Sequence, residues 1–128
     1  METLTQDSPF YPIAPQRRLL ETRRCVAFLD TKPVSKGHAL AVAKTVTASL
    51  FDLPASVQAE LWETVRSVRG ILIVRFRPDG FNIGVNDGAA AGQTISHAHV
   101  HIIPRYLSDV ADPRGGIRWI IPARARYW

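Results

Sequence analysis

Cysteine, lysine and long apolar runs are scarce in this chain of 128 residues. Cys25 is the only cysteine, only three of the 16 basic residues are lysine, and no stretch of about 18 consecutive apolar residues occurs. A single cysteine excludes an intrachain disulfide and a cysteine-based zinc cage, and it fits a reducing compartment, read here as the cytoplasm. Without a long apolar run a membrane span has no support, and the opening METLTQDSPF lacks the apolar core of a secretion signal. The other 13 basic residues are arginine, whose planar fork suits phosphate better than the point charge of lysine. Net charge is +5, yet Arg17, Arg18, Arg23, Arg24, Arg66 and Arg69 are scattered among acids. They form no basic stripe with aromatic platforms, so nucleic acid is not an expected partner. What is present, 46% hydrophobic and 21% charged residues, suits one soluble domain that can hold a core without a staple.

Residues 1–16 carry Pro9, Pro12 and Pro15 and little periodicity, and they read as an arm that is ordered only if it docks on something. Three short apolar pieces follow, at 18–21, 25–30 and 38–43, separated by RR and TKPVSKG, and they predict a three-strand meander. Asp52 and Pro54 then supply a helix start. Val57, Leu61, Val65, Val68, Leu72 and Phe76 recur every three or four positions, as one face of a long helix does, while Trp62 and Ile73 widen that face. FNIGVN alternates apolar and polar residues and predicts a strand whose polar face carries Asn82, Gly84 and Asn86. The run 87–94, DGAAAGQT, has no bulky side chain, so its backbone can approach a ligand closely. A second β-rich segment, ISHAHVHIIPR, is expected to stop at Pro104. A polar turn and a last extended piece, IRWIIP, complete the chain.

Three of the four histidines, His97, His99 and His101, stand at strict spacing of two. Alternate side chains of a strand share a face, so the three rings form a row about 6–7 Å apart while Ala98, Val100 and Ile102 pack on the other side. If FNIGVN pairs with this strand, Asn82 or Asn86 lies alongside the histidines. Three readings suit such a row. The rings are hydrogen-bonded residues of a polar strand face, or they ligate a metal, or one of them attacks phosphorus. Against the metal, three ligands from one strand converge poorly on one ion, and acids are distant, at Asp87 and Asp109. For the nucleophile, imidazole is largely unprotonated at neutral pH and attacks without a separate strong base.

HAHVHII, preceded by GVNDGAAAGQTIS, resembles the histidine-triad (HIT) family signature of His, apolar, His, apolar, His and two apolar residues. CVAFLDTKPVSKGHAL is similar to the family's N-terminal strands and VADPRGGIRWIIP to tails of its bacterial members, so the resemblance spans about residues 18–122. It implies an α+β fold, an antiparallel meander sheet with one long and one short helix packed on it, in one domain over 1–128 with 114–128 as a tail. It further implies a homodimer. The activity it implies is hydrolysis or transfer of nucleotides through a covalent nucleotidyl-histidine.

Carried across, the resemblance makes His99 the nucleophile, His101 a donor to phosphate oxygens and His97 the residue that holds the site in register, with His38 as its supporting partner. Asn86, Gly92, Gln93 and Thr94 match the phosphate-binding amide and loop. Asp30 matches the carboxylate on the ribose, and Phe28 and Leu29 resemble the wall against a purine base. In the related transferases the third histidine position resembles Gln, so His101 points to hydrolysis. The family's zinc-binding cysteine pairs are missing, and neither a metal nor another cofactor is expected. The substrate expected is a dinucleoside polyphosphate, a nucleoside phosphoramidate or a related adenylyl compound, and Arg105, Arg114 and Arg118 favour a long anionic one if they face the site. A non-enzymatic nucleotide sensor, or interaction module, is the alternative from another class.

Overall fold

A computed structural model describes residues 4–128; the first three residues of the expected arm lie outside the described residues. Five strands, β1 (Arg18–Glu21), β2 (Cys25–Leu29), β3 (Ala39–Ala43), β4 (Gly80–Val85) and β5 (Val100–Arg105), form one antiparallel sheet in the order β1-β2-β3-β5-β4. The predicted meander is β1 to β3, and the sheet then continues through β5, leaving β4 at the edge. β5, which carries His101, therefore has a hydrogen-bonded neighbour on both sides.

The predicted helix is α1 (Ala55–Phe76), whose buried face carries Val57, Leu61, Val65, Val68 and Leu72. Asp52 belongs instead to a short 3-10 turn, and Pro54 sits at the cap. Arg77 adopts the left-handed conformation at φ 54°, and Pro78 cannot continue the helical hydrogen bonding. On the sheet, Ala27, Ala39, Ala41 and Ala43 face α1, and their small side chains let the helix backbone come close. Trp62 and Ile73, at the rim of this face, remain 43% and 38% exposed.

β2 and β3 are buried on both faces, which explains why their sequences run apolar without alternation. The second face, formed by Val26, Phe28, Leu40 and Val42, is covered by the N-terminal arm through Leu4, Phe10 and Ile13. The arm does dock, and its apolar residues complete a second, smaller core.

Two expectations are corrected. β5 does not stop at Pro104 but runs through it to Arg105; Pro104 pairs with Phe81, and a proline lacks only the donor, so its carbonyl still serves the fold by accepting from Ser35 Oγ at 2.7 Å. The segment IRWIIP is not extended. Gly115 and Gly116, at φ 90° and 44°, turn the chain back, and residues 116–120 form a 3-10 turn followed by the short helix α2 (Pro122–Ala125). Trp119 Nε1 donates to the Arg114 carbonyl at 2.8 Å and Arg118 caps the carbonyls of Arg124 and Ala125, so the tail meets its hydrogen bonds internally and recruits no strand. Among the described residues no helix is long and apolar enough to cross a membrane.

Candidate active site

The alternation around the histidines places Ala98, Val100 and Ile102 in the helix-side core and turns His97, His99 and His101 to the opposite face. The row is not the straight ladder of a strand. β5 begins only at Val100, so His97 and His99 lie on its irregular approach; the His99 and His101 ring centroids are 5.0 Å apart, and His97 is fully buried behind them.

Hydrogen bonds fix the proton positions on these rings. His99 Nδ1 lies 2.9 Å from the His97 carbonyl, which can only accept, so Nδ1 carries the proton and the neutral ring has its lone pair at Nε2. His97 Nε2 likewise donates to the Ala43 carbonyl at 2.6 Å, leaving Nδ1 to accept from Ser8 Oγ at 2.7 Å. His38 Nδ1 accepts from the Val34 N–H at 3.1 Å, so its proton is on Nε2 and is donated to His101 Nδ1 at 3.0 Å. His101 must then carry its own proton on Nε2. Two adjacent rings thus differ in tautomer, one with a lone pair at Nε2 and one with an N–H.

His38, expected to support His97, supports His101 instead. Its position depends on Gly37, where φ is 88° and an added Cβ would lie 2.8 Å from the Phe76 ring. Asp30 Oδ2 lies 3.6 Å from His38 Nε2, and Asp30, His38 and His101 bring ligand-type atoms within 4.8 Å of one another. Because the Val34 amide occupies His38 Nδ1, Nε2 presents a proton to this cluster, and the arrangement is a hydrogen-bond chain.

Burial keeps the supporting rings neutral. It is the largest cause depressing the His38, His97 and His101 pKa values; His101, also next to His99 and His38, is pushed down to about 4.

A cavity of about 500 Å³ opens over His99 and His101. The predicted residues Phe28, Asp30, Asn86, Gly92, Gln93 and Thr94 all line it. Gln93 acts through more than its backbone: its side chain accepts from the Gly88 N–H and donates to the Ala48 and Ile95 carbonyls, which braces the loop and leaves no free amide for a ligand. Asn86 lies one step beyond Val85, the partner of Val100, at the His99 end of β4; Asn82 pairs with Ile103 further along and accepts from Arg105 Nη1. Leu29 does not face the cavity. It packs on the helix-side core, and only its carbonyl is engaged, by Arg17 Nη1 at 2.9 Å.

Sequence reasoning missed Ser8, Phe10 and Arg17. Phe10 stands edge-on to His99 with centroids 5.4 Å apart and packs on Phe28 at 5.3 Å, while the Arg17 guanidinium lies 5.8 Å from the Phe28 ring centre. The available signal was the aromatic pair Phe10–Tyr11 between Pro9 and Pro12. Arg105, Arg114 and Arg118 do not line this cavity: the first is paired with Asp109, the second with Asp112, and the third caps backbone carbonyls.

The cavity is therefore lined by aromatic rings, a carboxylate and an imidazole lone pair beside N–H donors. Residues 12–107 match the family model described as the HIT domain. The chain is 40% identical to "Adenylylsulfatase HINT3" of Arabidopsis thaliana, over 84% of this chain and 56% of that protein. It is 38% identical to "Bis(5'-nucleosyl)-tetraphosphatase [asymmetrical]" of Schizosaccharomyces pombe, over 71% and 50%. Among solved structures, a HIT family protein from Bacillus anthracis superposes with a TM-score of 0.67 at 36% identity, covering 70% of this chain and 63% of that one. The chain spans about half the length of the two curated relatives. With a model match over most of its length and the histidines in this geometry, the chain belongs to the HIT domain family.

Proposed function

We propose that this protein hydrolyses adenylyl compounds at the α-phosphorus through a covalent nucleotidyl-histidine on His99, releasing a nucleoside monophosphate. The observation that carries the reading is the bond from His99 Nδ1 to the His97 carbonyl, which leaves the Nε2 lone pair for attack without a separate base. The relatives named for adenylylsulfatase and tetraphosphatase activity support the same bond class.

The base rests against the Phe10–Phe28 pair, the ribose hydroxyls donate to Asp30, and the phosphate meets Asn86, the Gly92–Thr94 loop and His101 Nε2–H. In the first displacement His99 Nε2 gives its electron pair to phosphorus, and the bond to the leaving group breaks with the pair going to the departing atom; an amine takes a proton from solvent as it leaves. In the second, water adds to phosphorus, the P–N bond returns its pair to His99, and a water proton is released. Donors fixed before the reaction stabilise charge on the phosphate oxygens at both steps. Assembly as a homodimer belongs to the same proposal and is checked by sedimentation.

The test is AMP release, followed by chromatography, from diadenosine polyphosphates and adenosine 5'-phosphoramidate, each with and without chelator. Wild type is expected to release AMP in both conditions, and His99→Ala to lose turnover while still binding AMP. Turnover retained by His99→Ala overturns the assignment. Stoichiometric AMP binding by wild type without turnover of any compound transfers the site to the sensor class.

A further inference from the structure

Among the described residues two cations line the cavity over the histidines, Arg17 and Lys32, and neither has a part in the two displacements. Both are tied to the chain around Asp30. Arg17 Nη1 donates to the carbonyl of Leu29, the residue before Asp30, at 2.9 Å, and the guanidinium carbon lies 5.8 Å from the centre of the Phe28 ring. The Lys32 backbone N–H donates to Asp30 Oδ1 at 3.0 Å, whereas Oδ2 is the oxygen that lies 3.6 Å from His38 Nε2. The carboxylate thus has the histidines on its Oδ2 side and Lys32 on its Oδ1 side.

Among the described residues no carboxylate forms an ion pair with either side chain, and of the Arg17 donors only Nη1 is engaged. Glu21, on β1, is taken up by Arg18 and Lys44. Two positive charges therefore surround one negative charge where the cavity is lined by Phe28 and Asp30. A nucleoside with two free hydroxyls leaves that surplus unmatched, since its base and sugar are neutral and one hydroxyl is enough to donate to Asp30. Thr31, which also lines the cavity, adds a hydroxyl beside the two cations.

We infer that Lys32 and Arg17 form a subsite for a phosphate carried on the ribose, so that the preferred substrates are adenylyl compounds esterified at the 2' or 3' hydroxyl. The inference rests on the nucleotidyl-transfer reading and deepens it. One ribose hydroxyl donates to Asp30, and the phosphate on the other meets Lys32 Nζ and the unengaged N–H groups of Arg17, whose planar fork suits phosphate oxygens. Asp30 does not turn that phosphate away, because the Lys32 N–H already holds Oδ1 and the two cations outnumber the carboxylate. Both displacements at the α-phosphorus proceed as before. The additional phosphate stays on the nucleoside throughout and leaves with it, so the product is a nucleoside bisphosphate.

The experiment measures by calorimetry the affinity for AMP, adenosine 2',5'-bisphosphate and adenosine 3',5'-bisphosphate at low and high salt. Wild type is expected to bind one of the bisphosphates about tenfold more tightly than AMP at low salt, an advantage of the size that two partly exposed ion pairs give and that shrinks as salt is raised. The isomer that gains identifies the esterified hydroxyl. Lys32→Gln is expected to lower the bisphosphate-to-AMP ratio by about threefold or more, as the loss of one of the two pairs requires. Lys36→Gln removes the same charge from the same connection between β2 and β3 but outside the cavity, and is expected to leave the ratio unchanged. Circular dichroism checks folding of both variants. Equal affinity for all three ligands, or an advantage that the two variants alter alike, overturns the subsite while leaving the hydrolase intact. Slower turnover of diadenosine tetraphosphate by Lys32→Gln, with the bisphosphate ratio unchanged, assigns the lysine to the leaving group and overturns the subsite as well. No binding of AMP or of either bisphosphate overturns the nucleotide reading and the subsite together.

Discussion

Ser8 Oγ meets His97 Nδ1 at 2.7 Å across 89 positions of the chain, and this bond joins the N-terminal arm to the histidine cluster. His97 in turn lends its carbonyl to His99. The arm therefore does two things at once: it satisfies a buried nitrogen, and it holds Phe10 beside the ring that carries the lone pair.

Ser8→Ala leaves His97 Nδ1 buried without a donor, at a cost of about 1–3 kcal/mol. The expected outcome is a lower urea midpoint together with a lower kcat/KM. A Ser8→Ala variant with unchanged stability would separate the arm from the cluster.

Stability is expected to fall as pH is lowered through the histidine range. The folded His38, His97 and His101 have pKa values below the usual 6.5, His101 about 4, so between these limits the unfolded chain binds more protons. The stabilisation is complete above about pH 6.5 and is lost as pH falls toward about 4. Urea midpoints measured at intervals over this range should drop, and in His101→Asn the drop above pH 5 should be shallower. Glu21 and Glu60, which their cationic and hydroxyl partners hold below the usual 4.5, add their own loss only at lower pH.

Asp30→Ala should weaken AMP about ten- to a hundredfold by calorimetry, since a hydrogen bond to a charged group is worth about 1.5–3 kcal/mol. The same substitution should leave 2',3'-dideoxy-AMP unaffected, because that ligand has no hydroxyl to donate. Equal weakening of both ligands would place the ribose elsewhere.

The parts of this molecule that were legible in the sequence are those whose cause is local. The three- and four-residue stride from Val57 to Leu72 defines α1 because a helix has one buried face, and His97, Ala98, His99 and Val100 alternate because neighbouring side chains there point to opposite sides of the sheet. The residues that went unread act across distance. Nothing near Ser8 or Phe10 indicates a partner beyond position 90, and the proline-rich arm has no period to reveal which side is buried. His38 was assigned to the wrong histidine for the same reason, since only the pairing of Leu40 with His101 decides which ring it reaches. Leu29 was misplaced by one step of alternation: β2 is apolar on both faces, so the run CVAFL does not say which residues face the cavity. The tail misled differently, since two glycines outweighed the β-branched residues that follow them.

The insertion of β5 between β3 and β4 also sets the order in which the molecule acquires its chemistry. β1, β2 and β3 are joined by short turns and can pair early, whereas His38 meets His101 only when residues 63 positions apart come together. Closing a loop of that length is the slow entropic part of folding, and contacts of this range lower folding rates. A chain emerging during synthesis can complete its first three strands and most of its helix while the histidine cluster is still unassembled. His99 and the rings beside it come together only at this long-range step, so an incompletely folded copy lacks the cavity they line.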